Sequence, residues 1–112
     1  MAKVPKYRNK RVHVGDLSFD SKREAKRYGE LVLLQRAGAI AELRRQVRIT
    51  LIGSAGPILT DKGNPRTYVA DFVYIDARNG LEVVEDAKGY PTPEYKLKRD
   101  ILAAQGITII EV

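Results

Sequence analysis

The chain of 112 residues has no cysteine and only one histidine. Without cysteine there is no disulfide framework, no thiolate zinc site and no cysteine nucleophile, which suits a reducing compartment. His13 alone cannot build a histidine metal centre, so any metal here must be held by oxygen. Oxygen ligands select hard cations such as Mg²⁺, Mn²⁺ or Ca²⁺. Long apolar runs are missing too: none approaches the roughly 20 residues of a membrane span. The basic stretch Met1 to Arg11 is not followed by the apolar segment of a signal peptide. A soluble, cytoplasmic protein with no membrane partner is therefore expected.

What the chain does have is apolar material, 44% of its residues, enough for one domain with a real core. Its charge is uneven. Lys and Arg number 20 against 14 Asp and Glu, giving +6 overall. Residues 1–48 hold 13 of the basic and 5 of the acidic residues, a balance of +8, whereas residues 49–112 stand at −2. A basic half beside an acidic half suits a polyanion-binding surface joined to a site that needs carboxylates. Ordinary solvated charge explains the same numbers.

Lys3 to Lys10 lacks apolar periodicity, so residues 1–10 are expected as a flexible basic arm on a single domain spanning 1–112. Arg11–Val14 and Leu17–Phe19 flank Gly15-Asp16, a hairpin turn, with His13 on the polar side. Ser21-Lys-Arg-Glu24 is a capping box opening a helix that Gly38 ends. On it Ala25, Tyr28, Leu31 and Val32 share a face, with Lys22, Arg23, Lys26 and Arg27 on the far side. Glu24 and Gln35 fall in the middle of the apolar face, an odd place for solvated side chains.

Alternation over Val47, Ile49 and Leu51 predicts a strand, with Arg44-Arg45-Gln46 at its start. Residues 53–65 read as loop. The β-prone run Thr67–Asp76, the turn Ala77–Gly80 and the run Leu81–Lys88 predict a hairpin. Thr92 and Pro93 open a second helix reaching about Gln105, and 107–112 form a last strand. Tyr95, Leu97, Ile101 and Leu102 make that helix's apolar face, with Lys98 inside it. After the first hairpin the order is αβββαβ.

The middle hairpin carries the sharpest chemical signal. Asp86 and Lys88 point to one face of the second strand and Ala87 to the other. Two registers are open: a four-residue Ala77–Gly80 turn sets Asp71 opposite Asp86, and a two-residue Asn79-Gly80 turn sets it opposite Lys88. Val69, Val73 and Val84 are the expected neighbours on that face. Two acids facing each other across strands repel unless a cation sits between them, and an unpaired acid on a buried face is costly. Glu24 is a third acid, explained equally by reciprocal helix capping.

The αβββαβ order, Asp71…Asp86-x-Lys88 and a helical Glu24 resemble the PD-(D/E)XK nuclease superfamily. Tyr7-Arg-Asn-Lys-Arg-Val, Phe19-Asp-Ser-Lys-Arg-Glu-Ala-Lys-Arg-Tyr28, Tyr68-Val-Ala-Asp-Phe and Val84-Glu-Asp-Ala-Lys-Gly89 are similar to a family of small phage and prophage endonucleases likened to Holliday junction resolvases. The departures are Ala70 where proline is usual and Asp86 where glutamate is usual.

The resemblance implies an α/β (α+β) restriction-endonuclease-like core, a mixed sheet flanked by helices. It implies a Mg²⁺-dependent DNA endonuclease, with Mn²⁺ able to substitute, that hydrolyses phosphodiester bonds in branched DNA during phage recombination or replication. Asp71, Asp86 and the Ala87 carbonyl would hold the metal, with Glu24 completing the site; Lys88 would position the attacking water. No organic cofactor is implied. Arg8, Lys10, Arg11, Lys22, Arg23, Lys26, Arg27, Gln46 and Lys98 are candidate contacts to DNA. Cutting both strands of a branch implies a homodimer. The rivals are a non-catalytic basic binding module with the same fold and a nuclease subunit that needs a partner protein.

Overall fold

The computed structural model describes residues 11–87 and 91–112. The expected basic arm, with Arg8 and Lys10, and Lys88 lie outside these residues. The chain folds as an α+β domain. Strands β1 (Val12–Val14) and β2 (Leu17–Phe19) form the N-terminal hairpin, followed by helix α1 (Lys22–Arg36) and strand β3 (Ile40–Thr50). Two short strands, β4 (Ile52–Gly53) and β5 (Gly56–Pro57), precede β6 (Thr67–Asp76) and β7 (Glu82–Asp86). Helix α2 (Pro93–Ala104) and β8 (Ile109–Glu111) complete the chain. The main sheet is mixed, in the order β3-β6-β7-β8, antiparallel except for the parallel β7–β8 pair that α2 connects. Counting the strands of the main sheet, the expected αβββαβ order is present, with the β4–β5 hairpin inserted after β3. No helix among the described residues is long and apolar enough to cross a membrane.

Local chemistry explains the boundaries. Gly15 takes a left-handed φ of 61° at the first turn, which lets Val14 pair with Leu17. Ser21 caps α1 by accepting the Glu24 N–H at 3.1 Å, and Thr92 caps α2 by accepting the Tyr95 N–H at 3.1 Å, with Pro93 in the first turn. In the β6–β7 turn, the Asp76 carbonyl accepts the Gly80 N–H at 2.8 Å and Asp76 Oδ1 accepts the Arg78 N–H at 2.9 Å. Asn79 Oδ1 then accepts the Leu81 N–H at 2.9 Å. That closed turn fixes the register.

The helices cover opposite faces of the sheet. Leu31 of α1 packs with Ile40, Phe72 and Tyr74, flanked by Tyr28, Leu43 and Val83. Tyr95 and Leu102 of α2 pack with Leu51, Tyr68, Ala70, Val73, Val84 and Ile109. Phe72 and Leu102 are fully buried, so each layer has a large anchor. Burial of such a side chain stabilises by ~1.5–3 kcal/mol.

Four expectations change. Strand β3 begins at Ile40, so Arg44, Arg45 and Gln46 lie inside it and not at its start. A bulge with Glu42 at φ 55° inserts one extra residue between the Ala41↔Ile75 and Arg44↔Val73 pairs, erasing the alternation that would have revealed the strand. Residues 53–65 are not simply loop: β4 and β5 close a small hairpin, and Leu59 bridges Pro65. Val69 is 39% exposed and Leu97 61% exposed, so neither belongs to a buried face.

Candidate active site

The register places the acids. Pairs run Ile75↔Glu82, Tyr74↔Val83, Val73↔Val84 and Phe72↔Glu85, so the next step sets Asp71 opposite Asp86. The four-residue turn is the one formed. On the other side of β6, Arg45↔Phe72 and Val47↔Ala70 set Gln46 opposite Asp71. Gln46, like Glu42, has a left-handed backbone, with φ 52°.

At this pair both strands reverse their faces. Tyr68 and Ala70 pack on the α2 side but Phe72 and Tyr74 on the α1 side. In β3, Arg45 lies over the Phe19 ring at 4.1 Å while Val47 and Ile49 pack toward α2. Asp71 thus stands where the alternation breaks. It does not share a regular face with Val69 and Val73, as simple alternation expects.

Asp71 accepts the Ala87 N–H at 2.8 Å on Oδ2 and the Gln46 side-chain amide at 3.3 Å on Oδ1. Asp86, 1% exposed, accepts the Tyr68 hydroxyl at 2.5 Å. Burial, a hydrogen bond shared with Asp86 and the Asp86 charge push the Asp71 carboxyl up to about 8; the Ala87 N–H opposes this and the Glu24 charge adds to it. Burial and the Asp86 hydrogen bond also push the Tyr68 hydroxyl well above the ordinary tyrosine range, keeping it a donor. Ala87, expected to offer its carbonyl, contributes its N–H to Asp71.

Glu24 is 3% exposed. Its Oε1 accepts the Asp20 N–H at 3.2 Å, one residue before the cap, and its Oε2 accepts the Gln46 amide at 2.8 Å. Arg45 stands 3.7 Å from Oε2. Glu24 thus reaches past the cap to the Asp20 N–H instead of the Ser21 N–H of a reciprocal capping box, and it also approaches the acids, with Gln46 as the link to Asp71. An open polar pocket of about 210 Å³ adjoins this link, lined by Arg11, Ser18, Asp20, Glu24, Arg45 and Gln46.

The basic candidates divide. Lys22 and Lys26 are exposed on α1. Arg23 is also exposed and donates to the Val112 carbonyl at 3.3 Å. Arg11 binds Asp20 at 2.6 Å and Ser18 at 2.7 Å. Lys98 donates to the Thr67 carbonyl at 3.1 Å and pairs with Glu94, so its ammonium is tied to its own fold. Arg27 departs furthest from a free surface charge. It forks onto Glu85 at 2.8 and 2.7 Å and also binds Glu30. Glu85, 1% exposed, also accepts the Tyr74 hydroxyl.

Sequence reasoning missed Glu85, Tyr68, Tyr74 and Arg45 as parts of this frame. Only Glu85 had a signal: an acid on the face of β7 opposite Asp86, directed at a helix bearing Arg27.

The two acids suit a hard cation in kind. Among the described residues no three His, Cys, Asp or Glu side chains form a metal cage. The donor set is a carboxylate pair with Glu24 behind it, and Mg²⁺ is typically held by one or two carboxylates, water and substrate phosphate. The raised Asp71 carboxyl beside the Asp86 charge marks a repulsion that a cation would relieve.

This α+β domain, with paired acids at a break in its sheet, falls within a defined protein family. A family model matches residues 4–109, and the chain belongs to that family, described as a protein of unknown function (DUF1064). Comparison with curated proteins and with solved structures gives no match.

Proposed function

We propose that the chain is a Mg²⁺-dependent DNA endonuclease of the PD-(D/E)XK type that acts on branched DNA. The observation that carries this reading is the juxtaposition of Asp71 and Asp86 across β6 and β7, with Glu24 approached through Gln46. Each acid has a fixed donor: Ala87 N–H orients Asp71 and Tyr68 orients Asp86. Such supports hold metal-binding oxygens in place and keep them ready for use. Bound Mg²⁺ would lower the pKa of a water and neutralise charge growing on the scissile phosphate.

Asp71 and Asp86 would hold the cation, with Glu24 as the third acid. Lys88 follows Ala87 directly in the chain and by resemblance orients the attacking water. Lys22, Arg23 and Lys26 on the exposed side of α1 supply sequence-independent contacts to the phosphate backbone. One chain carries one such site, so cutting both strands of a junction calls for a homodimer. The setting that fits is the cytoplasm of a bacterial host, acting on phage or prophage DNA.

The test is a panel of labelled four-way junctions, flaps and linear duplexes incubated with Mg²⁺, Mn²⁺ or chelator. Metal-dependent cuts, strongest on branched substrates, support the reading. Binding without cuts on any substrate supports a non-catalytic binding module. Activity appearing only on adding a partner protein supports a dependent subunit.

A further inference from the structure

The Gln46 amide stands between two acids. Its Nε2 donates to Glu24 Oε2 at 2.8 Å and to Asp71 Oδ1 at 3.3 Å. Two N–H groups spanning two carboxylate oxygens fill the electrostatic niche that a bridging cation would take. Metal–oxygen distances for Mg²⁺ are about 2.0–2.1 Å, so the carboxylates would need to draw in by roughly 1 Å each once the amide left.

The two acids differ from the amide in freedom. Glu24 is 3% exposed and held at both oxygens, whereas Gln46 is exposed and lines the open pocket of about 210 Å³. Its backbone φ of 52° is one of two left-handed non-glycine positions among the described residues. A non-glycine residue persists there only when its surroundings over-determine it. The reversal of faces at Gln46 and Asp71 supplies that constraint and aims the amide inward from an edge strand.

We infer that Gln46 is an internal placeholder that competes with a divalent cation for the gap between Glu24 and Asp71 and must swing into the adjoining pocket for the cation to bridge them. The inference rests on the metal-dependent reading of Asp71 and Asp86, and it adds a device that weakens cation binding in the resting protein. A residue that merely assisted metal binding would act in the opposite direction.

The test is calorimetric titration of the full chain with Mn²⁺ alone, without DNA. Q46G removes the amide and suits the left-handed backbone; Q46N tolerates that backbone but is too short to span both acids. Circular dichroism confirms that each variant is folded. Both are expected to bind Mn²⁺ about tenfold more tightly than wild type, the scale of one charge-assisted hydrogen bond removed from competition. Both should also show a larger rise in melting temperature on adding Mn²⁺. Equal or weaker binding in the folded variants overturns the placeholder, and if wild type still cuts junctions with Mg²⁺, the nuclease reading survives. If neither variant nor wild type binds Mn²⁺, the placeholder and the metal-dependent reading fall together.

Discussion

The Tyr68 hydroxyl donates to Asp86 Oδ2 at 2.5 Å within the buried α2 side of the sheet. The bond joins the neighbouring strands β6 and β7 close to the acid pair. It gives one buried carboxylate a donor while the other is served by Ala87 and Gln46.

Y68F removes that donor and almost nothing else. Loss of a hydrogen bond to a buried charged group costs ~1–3 kcal/mol, and the midpoint of urea unfolding should fall accordingly. Because Asp86 also loses the donor that orients it, Mn²⁺ affinity should fall in the same variant. Unchanged stability would remove Tyr68 from the frame.

Arg27 and Glu85 form the other buried connection, between α1 and β7. R27A strands a buried carboxylate and should cost about 3–5 kcal/mol. Combining R27A with E85A should cost less than the sum of the single changes, by a coupling of roughly 0.5–3 kcal/mol. In DNA-binding titrations R27A should leave the salt dependence unchanged, since this arginine serves the fold.

Lys22, Arg23 and Lys26 should behave in the reverse way. A triple alanine variant should keep its stability, because surface charges contribute little. Its DNA affinity should fall alike on all sequences, and the slope of log affinity against log salt should flatten by about 0.9 for each phosphate no longer neutralised. An unchanged slope would place the DNA elsewhere.

The raised Asp71 carboxyl has a pH signature. With the group moved from 3.8 to about 8, the folded chain holds a proton across that window that the unfolded chain has released. Stability contributed by the protonated group is therefore full below the ordinary aspartate range and lost as pH rises through about 8. Metal-free protein should melt at progressively lower temperature over this range, relative to D71N. Added Mg²⁺ should narrow the difference most at the alkaline end. A D71N profile parallel to wild type would contradict the raised Asp71 carboxyl.

Much of the fold was legible because local rules agreed with it. Ser21 and Glu24 mark the first helix, Thr92 and Pro93 the second, and Asp76 to Gly80 the turn that sets Asp71 opposite Asp86. What stayed hidden lies where strand alternation fails. The bulge at Glu42 concealed the first third of β3, and the reversal at Gln46 and Asp71 moved Val69 out of the expected buried face. Residue type also says nothing about which of the five arginines and lysines on α1 will find Glu85. That pairing needs the helix seated on β7, a relation between residues 58 positions apart.

Cleavage of a labelled four-way junction by wild type and D71N, with binding followed on the same samples in Mg²⁺, separates a catalytic acid pair from a binding role. The substitution keeps the side chain's size and one acceptor oxygen for the Ala87 N–H, but removes the charge. Cleavage should fall at least ~100-fold, about 2.7 kcal/mol of barrier, while junction binding changes by no more than about threefold. Full cleavage by D71N, or a fall in cleavage only in step with a fall in binding, would contradict a catalytic acid pair.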